Sequence, residues 1–198
     1  ISFPSLKERF DRMEDQLSIL ELFRITPAES TFDYQGKTVA LKNCPALPKA
    51  AQESGIPIIV GGGGPKRTPN LAARFANEFN LPFSSPTDFE LQANRVRQAC
   101  ESISREADSM VFSVAQVLCI GTTEKELERR SAKIGRDLSE LRENGVAGTL
   151  DEARERIKSF QQLGVSRMYF QVLDEDDLDH VSLLSELLDE FTEVEENA

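Results

Sequence analysis

The sequence predicts an α/β fold built on a parallel sheet, and three observations carry that reading. Short apolar runs alternate with helical patterns along the chain, the order expected of repeated βα units. Met110 to Ile120, MVFSVAQVLCI, is apolar on both faces, as in a strand covered by helices on each side. Ile56 to Phe79, IPIIVGGGGPKRTPNLAARFANEF, passes from an apolar run through four glycines, Gly61 to Gly64, into a helical pattern. Strand, glycine turn and helix start together present backbone N–H groups to an anion, because the first amides of a helix have no internal acceptor.

The elements follow in order. Residues 5–24 form a helix: Ser5 and Glu8 have capping-box spacing. Leu6, Phe10, Met13, Leu17, Leu20 and Phe23 recur at three- and four-residue steps as one buried stripe. Thr26-Pro27 ends it. Phe32 to Leu41 alternates around Gln35-Gly36, a short hairpin, and the two prolines of Cys44 to Lys49 make an irregular connector. A strand at 56–60 leads through the glycines to a helix with Leu71, Ala72, Phe75, Ala76 and Phe79 on one face. Thr68 is its expected cap and Pro69 its first residue.

Asn80 to Phe83 is a brief strand, and Thr87 to Arg105 a helix with Phe89, Leu91, Val96 and Ile103 among its apolar positions. The strand at 110–120 is followed by helices over 124–134 and 136–144, then a loop, Gly145 to Gly148. Thr149 and Glu152 repeat the capping-box spacing and open a helix to Leu163, with Gly164 past its end. Val165 to Leu173 is the last strand. Asp179 to Val194 is a terminal helix with Val181, Leu184, Leu187, Leu188 and Phe191 inward, and the acidic tail after it is solvated. The strands are thus 56–60, 80–83, 110–120 and 165–173.

Bulk composition bounds the function. A chain of 198 residues, 39% hydrophobic and 29% charged, suits one folded domain over residues 1–198 rather than a disordered segment. Its apolar runs are too short for a membrane helix. A net charge of −11 disfavours a basic nucleic-acid face, so an anionic ligand needs local basic groups or amides. Cys44, Cys100 and Cys119 are scattered without CxxC spacing, which suits a reducing cytosol, hence a cytoplasmic expectation, and gives no metal or disulfide framework. His180 is the single histidine and is expected at the surface of the last helix.

Several motif readings compete for Gly61 to Thr68. A Walker A loop requires GxxxxGK[ST], and Lys66 between Pro65 and Arg67 breaks it. A dinucleotide fingerprint requires GxGxxG; Gly61 and Gly63 supply its first half, but Lys66 stands where the last glycine belongs. A phosphate cradle at the C-terminal end of a barrel strand fits, with Gly61, Gly62, Gly63 and Gly64 letting the backbone approach a ligand and Lys66 and Arg67 adding charge. A plain strand-to-helix turn is the alternative.

These residues carry a resemblance. IPIIVGGGGPKRTPNLAARFANEFN resembles the central segment of the luciferase-like flavin monooxygenase superfamily, in particular its coenzyme F420-dependent oxidoreductases, whose pattern is roughly PIxIGGxGxKRTLxLxAxYADxWN. FPSLKERFDRMEDQLSIL is similar to the family's FPPxxERxxRLEExLxIL helix, and FDYQGKTVAL to its hairpin insert. GVAGTLDEARERIKSFQQLGVSRMYFQ is similar to the family's closing segment, so the likeness spans nearly the whole chain. Pro69, Asn77 and Phe79 depart from the usual Leu, Asp and Trp.

The resemblance implies a luciferase-like (β/α)8 TIM barrel, here about its C-terminal half, roughly strands five to eight with their helices. The first four strands are expected to precede Ile1, leaving an open, incomplete barrel or one completed by a partner. It implies an oxidoreductase that transfers a hydride between coenzyme F420 and an organic small molecule, with FMN and FMNH2-dependent monooxygenation as the alternative. A non-catalytic anion-binding half barrel is the reading from another class. The implied cofactor-binding residues are Gly61, Gly62, Gly63, Gly64, Lys66, Arg67 and Thr68, with Asn80 and Gln171 as pocket candidates near strand ends. No residue is assigned as catalytic acid or base, no metal or nucleic acid is expected, and a homo-oligomer is expected at full length.

Overall fold

The computed structural model describes residues 3–52 and 55–192. A long helix, α1 (Leu6–Ile25), leads to a hairpin of β1 (Thr31–Gln35) and β2 (Ala40–Pro45). Then come β3 (Ile59–Gly61), α2 (Arg67–Phe75), β4 (Glu78–Pro82) and α3 (Pro86–Ser102). A short 3-10 turn, Ala107–Ser109, precedes β5 (Val111–Ile120), α4 (Glu124–Lys133) and α5 (Leu138–Asn144). The chain closes with β6 (Val146–Gly148), α6 (Leu150–Gln162), β7 (Arg167–Gln171) and α7 (Leu178–Thr192). One sheet is the β1–β2 hairpin; the other has five strands in the order β3-β4-β5-β6, with β7 also on β5. Both β6 and β7 run parallel to β5.

Contacts divide the chain into two compact units. The first comprises Ile1–Val60, Gly64–Glu78 and Val96–Met110. Its organising residue is Asp15, 3% exposed on α1. The Asp15 carboxylate accepts from Tyr34 Oη at 2.9 Å, the Lys37 amide at 3.1 Å, and the Thr38 amide and Oγ1 at 2.6 and 2.7 Å. Burial alone would raise the Asp15 carboxyl, but these donors outweigh it and hold it well below the usual carboxylate range. The hairpin turn is therefore pinned to the helix by one anion. Arg105 does similar work at the end of α2, donating to the Ala73 and Ala76 carbonyls at 2.8 Å each, which satisfies acceptors the helix leaves unpaired.

The expected buried stripe of α1 is only partly buried. Leu17 is 7% exposed, whereas Leu6, Met13 and Leu20 are 62, 37 and 52% exposed. The helix turns its Asp15 and Leu17 positions inward, because Asp15 must reach the hairpin, and the seven-residue series Leu6, Met13, Leu20 faces outward.

The second unit comprises Gly61–Gly63, Phe79–Arg95 and Val111–Ala198. β5 is its spine, buried nearly throughout as the two-faced apolar pattern predicts. One side of its C-terminal half, Leu118 and Ile120, packs with Val146, Ala153, Ile157 and Leu187. The other, Val117 and Cys119, packs with Leu127 and Leu141. Helix α6 begins with the expected capping box, Thr149 Oγ1 accepting from the Glu152 amide and Glu152 from the Thr149 amide.

Several boundaries differ from the sequence reading. Gly145–Gly148 is not wholly loop: Val146–Gly148 pairs with Leu118–Ile120 as β6, because β5 runs far enough to offer a free edge. The strand read at 56–60 is shorter and later, Ile59–Gly61, since Pro57 removes a donor. Helix α2 starts one residue before its expected cap and stops at Phe75, so Phe79 belongs to β4. Cys44 and Pro45 extend β2. On α7, Leu187 is fully buried, while Val181 and Leu188 are 42 and 36% exposed. The acidic tail and residue 194 lie outside the described residues.

Candidate functional site

The glycine segment is held at its start by the second unit. Gly62 has φ +118°, a conformation that L side chains rarely adopt, and a Cβ placed there would meet nothing within 4 Å. Its N–H donates to the Asn80 carbonyl at 3.2 Å, and its own carbonyl accepts from Gln92 Nε2 at 3.3 Å. Gly61 lies so close to the Asn80 carbonyl that an added Cβ would stand 3.1 Å from it. Gly63 is different: its φ is ordinary, and a Cβ would have Leu81 Cδ1 as its nearest neighbour at 4.0 Å. At Gly62 and Gly63 the backbone thus borders open space.

In the first unit the segment continues into α2. Its N-cap is Lys66, with no side-chain cap bond and no acidic residue in the first turn. Asn70 N–H to the Lys66 carbonyl, 3.3 Å, is the first bond of the helix ladder. Pro69 has no N–H, so Arg67 and Thr68 carry the amides without an intrahelical acceptor. Thr68 was expected as the cap; it is instead the second helical residue, 5% exposed, its hydroxyl 2.6 Å from where a Gly64 Cβ would stand. Lys66 is exposed and makes no ion pair among the described residues.

Arg67 is committed elsewhere in its unit. Nη2 lies 2.7 Å from Asp11 and 3.1 Å from Glu14, and the guanidinium sits 5.1 Å from the Phe10 ring centroid. The Arg67 hydrogen bond is the largest influence holding Asp11 below its ordinary value. Of the two expected charge partners, Arg67 is thus engaged within its unit, and Lys66 makes no ion pair among the described residues.

Asn80 lies on β4, where Nδ2 donates to Ser113 Oγ at 2.8 Å and Ser113 Oγ to the Phe79 carbonyl at 3.3 Å. Gln171 ends β7, exposed, in register with Val117. Asn80 is therefore brought to Gly61 and Gly62, whereas Gln171 lies on β7, paired with β5. Phe83, just past β4, holds φ +50° and is 45% exposed, a strained conformation for a bulky residue at a strand end.

Sequence reasoning missed Gln92, which is 2% exposed and ties α3 to the Gly62 carbonyl. The signal was present: Gln92 falls on the same face as Phe89, Ala93 and Val96, and a polar residue in a buried stripe needs a partner. His180 was expected at the surface and is 4% exposed. Its Nε2 accepts the Ile120 N–H at 3.1 Å, and burial, with Arg130 nearby, pushes the imidazole below its ordinary value. A lone histidine in an acidic helix start gave no sign that β5 would run up against it.

The start of α2 offers two amides without an intrahelical acceptor and carries the exposed Lys66 at its N-cap. No described helix is long and apolar enough to cross a membrane.

No curated protein matches the chain. An F420-dependent secondary alcohol dehydrogenase, solved with an F420-acetone adduct, superposes with TM-score 0.75 at 13% identity, covering 94% of this chain and 63% of its own. The coenzyme F420-dependent tetrahydromethanopterin reductase of Methanopyrus kandleri superposes at 0.70 and 15% identity, covering 88 and 61%. A riboflavin lyase with modified FMN gives 0.70 at 13% identity, covering 96 and 59%. The chain therefore spans about three fifths of the length of these structures and has their barrel fold over that span. The family model for luciferase-like monooxygenases matches residues 4–144, well over half of the sequence, and the chain belongs to that family.

Proposed function

We propose that this chain is the phosphate-binding part of an oxidoreductase that uses coenzyme F420, with FMN as the alternative cofactor of the same chemistry. The observation that carries the reading is the start of α2, whose N-cap, Lys66, makes no side-chain cap bond and leaves the Arg67 and Thr68 amides without an intrahelical acceptor. Solved relatives with this fold are described as F420-dependent or as carrying FMN. The amides of Arg67 and Thr68 and the ammonium of Lys66 would hold the cofactor's phosphate. When bound, a deazaflavin or flavin ring supplies hydride transfer with an organic substrate.

The chain's own contribution is binding and positioning. Asn80 and Gln92 fix Gly62 in its positive-φ conformation, so the loop is set before a ligand arrives and less ordering entropy is lost on binding. Arg67 anchors α2 to α1 instead of meeting the ligand.

Equilibrium titration with F420 and with FMN, followed by their intrinsic fluorescence, tests the reading on the longest natural protein that contains this sequence. Saturable binding of one of them, competed by inorganic phosphate at high concentration, is expected. Binding of neither removes the oxidoreductase reading. Phosphate binding alone supports the non-catalytic anion-binding alternative.

A further inference from the structure

β5 outlasts its neighbour β7. Their last registered pair is Val117 with Gln171, and β5 continues to Ile120. Backbone groups along a strand alternate between its two edges, so Ile120 faces the edge on which the Phe112 carbonyl accepts from Ser166 at the entry to β7. At Ile120 that edge is filled by side chains in place of a strand. His180 Nε2 accepts the Ile120 N–H at 3.1 Å, and Arg130 Nη1 donates to the Ile120 carbonyl at 2.6 Å. The same guanidinium grips Asp177 through Nε at 2.9 Å and Nη2 at 3.1 Å. Asp177 in turn accepts the backbone N–H of His180 at 3.0 Å and Nη2 of Arg129 at 2.8 Å. The end of β5, helix α4 and the start of α7 are thus joined in one buried cluster.

We propose that His180 is a proton-operated latch that fastens the start of α7 to the C-terminal end of β5. An imidazole that accepts through Nε2 is neutral and carries its proton on Nδ1. A proton taken from solvent onto Nε2 turns that acceptor into a donor facing the Ile120 N–H, and the bond is lost. The groups facing the ring decide how readily this happens. Arg130 and Arg129 on α4 oppose a second positive charge, and burial opposes it more. Asp177 and Asp174 in the connection before α7 favour it, but Asp177 is already engaged by both arginines; Cys119 on β5 is uncharged, since burial raises its thiol. Burial and the arginines prevail, so the ring takes up its proton only by leaving. The segment freed is the stretch between Gln171 and α7, which follows a strand end where barrel enzymes place their sites.

Hydrogen exchange of the intact protein between pH 8 and pH 5, resolved to peptides and corrected for intrinsic rates, tests the latch. Protection in peptides covering Val117–Gly121 and Val172–Leu183 is expected to fall roughly tenfold per pH unit below about 6.5, with β5 around Val114 unchanged. In His180→Gln the side-chain oxygen accepts the Ile120 N–H without titrating, and protection there becomes independent of pH over that range. Flat protection in the wild type, or the same pH dependence in His180→Gln, overturns the proposal. Should the variant not fold, 15N shifts of the wild-type ring decide. Nε2 unprotonated at pH 7.5 and titrating with the loss of protection supports the latch; Nε2 protonated at pH 7.5 contradicts it.

Discussion

At the scale of single residues, the buried charges set the response to acid. Asp177 lies well below the ordinary carboxylate range, first because Arg130 hydrogen-bonds to it. A carboxyl lowered on folding stabilises the fold above its unfolded value, about 3.9, and that stability is lost as pH falls through the folded value. His180 is also lowered, so its contribution is complete above about 6.5 and declines as pH falls below that. Chemical denaturation across pH should therefore show two separate losses, one beginning near pH 6.5 and one below pH 4, and His180→Gln should remove the first alone. Asp177→Asn leaves Arg130, whose side chain is 4% exposed, with Glu126 at 3.9 Å as its remaining counter-charge; a cost of about 3 kcal/mol is expected at pH 7 by urea denaturation. A cost under 1 kcal/mol would mean the cluster is less buried than described.

At the scale of elements, the parts readable in the sequence are those with a local cause. The capping box at Thr149 and Glu152, the two-faced apolar run of β5 and the hairpin around Gln35-Gly36 each depend on neighbours a few residues away, and each is present. What escaped reading depends on distant partners. β6 exists because β5 offers an edge to Val146–Gly148, His180 is buried because β5 runs to Ile120, and α1 turns Asp15 inward because Thr38 waits on the hairpin. The candidate site divides in the same way. The glycines and the turn into a helix are local and were legible, whereas the cap fell on Lys66 in place of Thr68, and the engagement of Arg67 by Asp11 and Glu14 required knowing that α1 packs on α2. Two substitutions probe these supports. Arg105→Ala strips two charged hydrogen bonds from the end of α2 and should cost about 2 kcal/mol, with exchange protection lost first in residues 67–75. Thr149→Ala removes the α6 cap and should cost about 1 kcal/mol. Unchanged protection in α2 after the first substitution would contradict the role given to Arg105.

At the scale of the whole molecule, the sheet is open: among the described residues β7 pairs only with β5, and β3 ends the other side. Unpaired strand edges invite pairing with other chains. The isolated 198-residue chain is expected to associate in a concentration-dependent way in sedimentation experiments. A monomer at all concentrations would show that its edges are protected. Lys66 separates the proposed role of the α2 start in binding a phosphate-bearing cofactor from a purely structural one. Lys66 is exposed and makes no ion pair among the described residues, so Lys66→Ala should leave stability within about 0.5 kcal/mol of the wild type. The same change removes the ammonium offered to the phosphate. The affinity of wild type and Lys66→Ala for F420 and FMN, with thermal stability recorded in parallel, measures this directly. At least a tenfold loss of affinity at unchanged stability is expected; equal affinity in the two proteins would contradict the proposed binding.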